Sequence, residues 1–83
     1  MDKKQFVLDF VDLFDELAPT EVTQETVLRD LDDWSSMIAL SLLNMIEKEY
    51  LVSLSSDELR HSITVGDLCE MIENKQKQLG GKL

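Results

Sequence analysis

Apolar residues recur at spacings of three and four along most of this chain, a period that admits helices and little else. Phe6, Phe10, Leu13, Phe14 and Leu17 keep that register, with Lys3, Asp9, Asp12, Asp15 and Glu16 between them. The pattern predicts an amphipathic helix over about 2–17. Ala18-Pro19-Thr20 should stop it, because the residue before a proline is pushed out of the α region. The register resumes at Ser36. Met37, Leu40, Leu43, Ile46 and Tyr50 form one stripe, Ala39, Leu42 and Met45 widen it, and Ser41, Asn44, Glu47 and Lys48 fall opposite. A second helix over about 36–50 follows. Ser55-Ser56-Asp57-Glu58 reads as a capping box that opens a short helix over about 56–61. Thr64 can cap a last helix over about 65–78, with Val65, Leu68, Cys69 and Ile72 on its buried face and Gly80-Gly81 as its stop. The expectation is an all-α four-helix bundle in a single domain, 1–83, with one short helix and no strand. Between the first two helices lies a long loop, 18–35, in which Val22, Val27, Leu28 and Leu31 can act as anchors and a short helical turn fits. Loops beyond about 12–15 residues are uncommon in small domains and tend to be functional.

Charge narrows the function. Seventeen acids against eight Lys and Arg give a net charge of −9. A nucleic-acid binder needs a cationic face to displace counterions from phosphates, and an anionic membrane repels such a chain. Partners with basic surfaces fit instead. The single cysteine excludes an intrachain disulfide and a thiolate zinc site. No apolar run reaches the span of a membrane, and Met1-Asp2-Lys3-Lys4 lacks the apolar stretch of a secretory signal, so a cytoplasmic setting is expected. One bundle accounts for the apolar residues, which predicts a monomer. Ile38 and Leu42 are the candidates for an exposed contact patch.

Few residue sets could support catalysis. A calcium loop starting at Asp30 needs Gly at its sixth position and Glu at its twelfth; Ser35 and Ser41 stand there. Cys69 sits in a buried stripe, where a thiol is ordinarily a small hydrophobe, so a dyad with His61 is not expected. His61 should cap a helix end or face water. No glycine-rich phosphate loop and no paired histidines are present. The sequence therefore offers no catalytic residues and no metal ligands. Met37, Met45 and Met71 fit either core filling or an adaptable cavity.

What remains is Leu31-Asp32-Asp33-Trp34-Ser35-Ser36-Met37-Ile38-Ala39-Leu40, where the long loop ends and a helix begins. A serine at a helix start lies beside free backbone N–H groups at the positive end of the dipole, a favourable field for an attached phosphodiester. Either Ser35 or Ser36 can be the cap.

Trp34-Ser35-Ser36-Met37-Ile38-Ala39-Leu40 resembles the attachment segment of acyl carrier proteins, which read Asp-Ser-Leu at the start of the second helix, in one branch after a Trp. Met45-Ile46-Glu47-Lys48-Glu49-Tyr50 is similar to that family's Glu-x-Glu-Phe/Tyr ending of the helix. Ser62-Ile63-Thr64-Val65-Gly66-Asp67-Leu68 is similar to its Thr-Val-x-Asp-Leu start of the last helix. The likeness covers nearly the whole chain in length, acidity and helix order. It implies a carrier, not an enzyme, bearing 4′-phosphopantetheine on the Ser36 hydroxyl, with Ser35 the competing position. A phosphopantetheinyl transferase would install the arm, with Mg²⁺ helping to neutralise the phosphates. Acyl-processing synthases with basic patches would dock on Ser35, Met37, Ile38, Ser41, Glu47 and Lys48. The chain would lie along Leu40, Leu43, Ile46, Leu59, Ile63 and Leu68. Fatty-acid or specialised-metabolite synthesis is the implied setting. An unmodified adaptor that binds partners through the second helix is the other reading.

Departures from the family pattern are equally visible. Ser35 stands for the usual Asp, Met37 for Leu and Ser41 for a frequent acid, while Lys48 interrupts the Glu47–Glu49 pair. Residues 1–34 carry a net charge of −7 and residues 35–83 only −2. Losing rim charges from a docking helix acts mainly on association rate and salt dependence.

Overall fold

The computed structural model describes residues 1–81. Four helices follow one another: α1 (Lys3–Val11), α2 (Ser36–Tyr50), α3 (Ser56–His61) and α4 (Val65–Gly81). Among the described residues the one β feature is a single antiparallel bridge, Val27 to Thr64. The all-α, four-helix expectation with one short helix holds.

Local chemistry explains most boundaries. Asp2 caps α1 by accepting from the backbone N–H of Lys4 and Gln5 at 3.0 and 3.2 Å. Ser55 and Glu58 exchange the two hydrogen bonds of a capping box at the start of α3, at 3.1 and 2.9 Å. Thr64 and Asp67 form the same reciprocal pair at α4: the Thr64 hydroxyl accepts from Asp67 N–H, and the Asp67 carboxylate accepts from the N–H of Thr64 and Ile63. α2 ends at Leu51, the one described non-glycine residue with positive φ, at 60°. Its side chain is 77% exposed.

Two boundaries differ from expectation. α1 stops at Val11, not near residue 17. Beyond it, Leu13 N–H and Phe14 N–H bond to Phe10 and Val11, three residues back. The acids Asp9, Asp12, Asp15 and Glu16 crowd the negative end of the helix with no basic residue in its last turn, which disfavours further α turns. The tighter turns still keep Phe14 buried, so the apolar period outlasts the helix. α4, by contrast, runs through Gly80 to Gly81. Glycine permits the left-handed turn that stops a helix and does not compel it.

The core joins Phe6 and Phe10 of α1, Leu42 and Ile46 of α2, Leu59 of α3, and Val65, Leu68, Cys69 and Ile72 of α4. Phe6 stacks on Phe10 with ring centroids 6.2 Å apart, Phe14 tilts onto Phe10 at 5.2 Å, and Tyr50 tilts onto Phe6 at 5.6 Å. Burying such a ring stabilises by roughly 2–3 kcal/mol. The Tyr50 hydroxyl donates to Asp9 at 2.9 Å, tying the end of α2 to α1. Burial, together with this bond, raises the phenol pKa. Lys75 of α4 donates to the Ser53 carbonyl at 2.8 Å and pairs with Glu58 at 2.9 Å. The Ser55 N–H and then Lys75 hold the Glu58 carboxyl below its ordinary value.

The loop between α1 and α2 is ordered by contacts at both levels. Val22 and Leu28 enter the core, and short 3₁₀ turns form at Pro19–Glu21 and Leu28–Asp30. Its backbone is bonded to the start of α4: Val65 N–H to Thr26 O at 2.9 Å, Gly66 N–H to Gln24 O at 2.8 Å, and Leu28 N–H to Ile63 O at 3.0 Å. Arg29 adds two bonds to the end of α3, to the carbonyls of Arg60 at 3.1 Å and Ser62 at 3.4 Å.

A methyl group at residue 66 would stand 2.9 Å from the Gln24 carbonyl, which is backbone and also the partner of Gly66 N–H. Gly66→Ala is therefore expected to lower stability by about 1–3 kcal/mol, read as a lower urea midpoint. The Asp67 carboxyl is held below its ordinary value by the N–H groups of Thr64 and Ile63. Its folded pKa lies under its unfolded one, so its stabilisation is present above the unfolded value and fades as pH falls through the folded value. The melting temperature of Asp67→Ala should lie below that of the wild type at neutral pH, and the gap should close on acidification through the carboxylate range.

Candidate functional site

The loop delivers Trp34-Ser35-Ser36 to the start of α2. Trp34 is half-buried against the core, and its backbone N–H donates to the Leu31 carbonyl at 3.0 Å. Ser35 follows in extended geometry, φ −150° and ψ 170°. Its hydroxyl accepts from Ile38 N–H at 3.2 Å, and its carbonyl accepts from Ala39 N–H at 2.9 Å. Ser35 is thus the cap, which the sequence left open between two serines. Ser36 is the first residue of the helix and is exposed.

This division of labour matters chemically. A capping hydroxyl is held by the helix it caps, so modifying it costs the cap. The neighbouring hydroxyl of Ser36 carries no such duty and faces solvent. Helix geometry leaves the N–H groups of the first turn without intrahelical partners, and Ser35 satisfies the one on Ile38. The N–H groups of Ser36 and Met37 remain for an anion. The first turn carries no acidic side chain, so the positive end of the dipole is unopposed within the helix. Asp15, Glu16 and Asp33 do line the cleft that reaches Ser35, Met37 and Ile38. A helix terminus favours an anion by about 0.3–1 kcal/mol. Those exposed carboxylates oppose it, weakened by water and by salt screening.

The outward face of α2 differs from expectation. The stripe of Met37, Leu40, Leu43, Ile46 and Tyr50 does not face inward as a unit. Leu42 and Ile46 are fully buried, Ile38, Ala39, Leu43, Met45 and Tyr50 are half-buried, and Met37 and Leu40 are 78% and 60% exposed. Apolar residues surround more than half of this helix, so packing, not periodicity, selects the seam. Leu42 is therefore core and not part of an exposed patch, and Ile38 packs partly against the core. Met37, Leu40, Asn44 and Glu47 succeed one another at spacings of three and four along the exposed face, with Lys48 beside Glu47. From Ser36 to Glu47 the face extends about 16 Å along the axis. Ser41 is half-buried on its flank.

The residues expected along an acyl chain divide. Ile46, Leu59 and Leu68 are packed in the core, Leu43 is half-buried, and Leu40 and Ile63 face outward, Ile63 at 57% exposure. Cys69 and His61 do not meet as a dyad. Cys69 is fully buried, and burial pushes its thiol up to about 11. The exposed His61 ring donates from Nδ1 to the Asp57 carbonyl at 2.7 Å, closing the end of α3. Arg29, which fastens the loop to α3, was not legible beforehand. Its partners lie 31 and 33 residues away, and a lone arginine in a loop carries no local signal. No helix among the described residues is long and apolar enough to cross a membrane.

No family model matches the chain, and no solved structure matches it. Two curated proteins are similar to it: the acyl carrier proteins of Shigella flexneri and Shigella dysenteriae, each 26% identical over 76 residues. The alignment spans 92% of this chain and 97% of each relative, so the similarity embraces the whole folded unit.

Proposed function

We propose that this chain is an acyl carrier protein in function, bearing a 4′-phosphopantetheine arm on the Ser36 hydroxyl. The observation that carries the reading is the pairing at the α2 start: Ser35 holds the cap, and Ser36 is exposed beside free N–H groups. The residues present fit the group. An exposed alcohol supplies the ester oxygen, and the first-turn N–H groups supply donors to a phosphate. The arm, when bound, supplies a thiol on which cargo travels as a thioester. The protein's own residues anchor, orient and present; they do not catalyse. The full-length similarity to two acyl carrier proteins supports the same reading.

Docking by a phosphopantetheinyl transferase and by acyl-processing synthases falls on the outward face of α2. Met37 and Leu40 offer apolar contact there, Ile38 and Ser41 flank it, and Glu47 and Lys48 lie at its far end. The acidic loop and the end of α1 steer partners with basic surfaces toward it. Cargo would leave water along the exposed Leu40 and Ile63, with the more buried Leu43, Ile46, Leu59 and Leu68 as the remaining walls. The setting is fatty-acid or specialised-metabolite synthesis in the cytoplasm, and the carrier acts as a monomer.

The test is intact mass after incubation with coenzyme A, Mg²⁺ and a transferase of broad specificity. The wild type should gain one arm and Ser36→Ala none. Ser35→Ala should still gain the arm while losing about 1 kcal/mol of stability with its cap. A Ser36→Ala protein that is still loaded, or a wild type that no transferase loads, overturns the reading. The latter result favours an unmodified adaptor.

A further inference from the structure

Of the sulfur-bearing side chains, four methionines and one cysteine, one stands apart. Met37 is 78% exposed, whereas Met1, Met45 and Met71 pack partly against the core and Cys69 is fully buried. Thiol oxidation requires the thiolate and access, and burial denies Cys69 both. A peroxide arriving from solvent therefore meets the Met37 thioether first. Met37 is also the residue directly after Ser36, on the first turn of α2, and Leu40 one turn on extends the same exposed apolar strip. We propose that Met37 is a reversible oxidation site whose sulfoxide slows the loading of Ser36. The proposal rests on the carrier reading above.

The chemistry is balanced. The thioether sulfur attacks one oxygen of hydrogen peroxide, an S–O bond forms and the O–O bond breaks. The departing hydroxide takes up a proton and leaves as water, so sulfur loses two electrons and the peroxide gains them. A methionine sulfoxide reductase reverses the step, with two thiols becoming a disulfide and the oxygen leaving as water. Oxidation turns a flexible apolar side chain into a polar one. At a core position that would unfold part of the bundle. At Met37 it leaves the fold intact, because little of this side chain is buried, and it changes only what a partner touches beside Ser36.

The full chain, before loading, is treated with dilute hydrogen peroxide. Peptide mass mapping follows each methionine, and intact mass follows transferase loading. Met37 should take up oxygen at least fivefold faster than Met45 and Met71, in line with its exposure. The oxidised protein should load about tenfold more slowly, consistent with a lost apolar contact of about 1.4 kcal/mol. A methionine sulfoxide reductase should restore the starting rate, and the circular dichroism spectrum should stay unchanged throughout. A Met37→Leu protein should load at the same rate before and after peroxide. Equal oxidation of all the methionines, undiminished loading of the oxidised wild type, or slowing that persists in Met37→Leu overturns the proposal. If the untreated wild type is never loaded, the carrier reading falls and this proposal falls with it. If the untreated protein loads and oxidation changes nothing, only this proposal falls.

Discussion

The fastening of the α1–α2 loop to the α3–α4 junction is the contact on which the rest of the structure depends. Three backbone hydrogen bonds, from Val65, Gly66 and Leu28, and the guanidinium of Arg29 join segments that are distant in sequence. Alongside these bonds, Val22 and Leu28 are buried in the core. The bonds fix the path and the side chains fix the depth. Together they bring Trp34 against the core and set where α2 begins.

The beginning of α2 then decides the chemistry. Two adjacent serines look interchangeable, yet the backbone separates them. Ser35 has extended dihedrals and turns its hydroxyl back onto Ile38 N–H. Ser36 has already entered the helix, so its side chain projects outward. A cap is worth about 1 kcal/mol only while its oxygen is free to accept. A chain that used its cap as an attachment point would trade helix stability for modification. Two serines in sequence avoid that conflict. Ser35 caps the helix without placing a negative charge beside Ser36.

How much of this was readable in the sequence follows from the range of each interaction. The starts of α3 and α4 were visible because their caps lie within three residues: Ser55 with Glu58, and Thr64 with the helix it opens. The extent of α1 was not, because Phe14 and Leu17 keep the apolar period while acids at the negative helix end shorten the α segment. The seam of α2 was misplaced for a different reason. With apolar residues at 37–40, 42, 43, 45 and 46, several stripes satisfy the same spacing, and only contact with α1 and α4 chooses among them. Arg29 was silent because its acceptors are carbonyls of residues 60 and 62. At the site, the segment was legible from resemblance, whereas the choice of cap between Ser35 and Ser36 required dihedrals.

The uneven charge of the chain takes on a physical meaning once the fold is known. The first 34 residues hold most of the net charge, and their acids end at Asp30, Asp32 and Asp33, immediately ahead of Trp34 and Ser36. Asp15, Glu16 and Asp33 border the cleft that opens toward Met37. A basic partner would be drawn to the flank of α2, and in the proposed carrier role its final contact would fall on a face whose exposed members near Ser36 are Met37 and Leu40. Steering and docking would then be split between two surfaces: long-range attraction from the loop, short-range apolar contact from the helix. Screening acts on the first and hardly on the second, since the Debye length is about 8 Å at physiological salt. The association rate of a partner should then depend on salt through residues it never covers, and its residence time on residues that carry no charge.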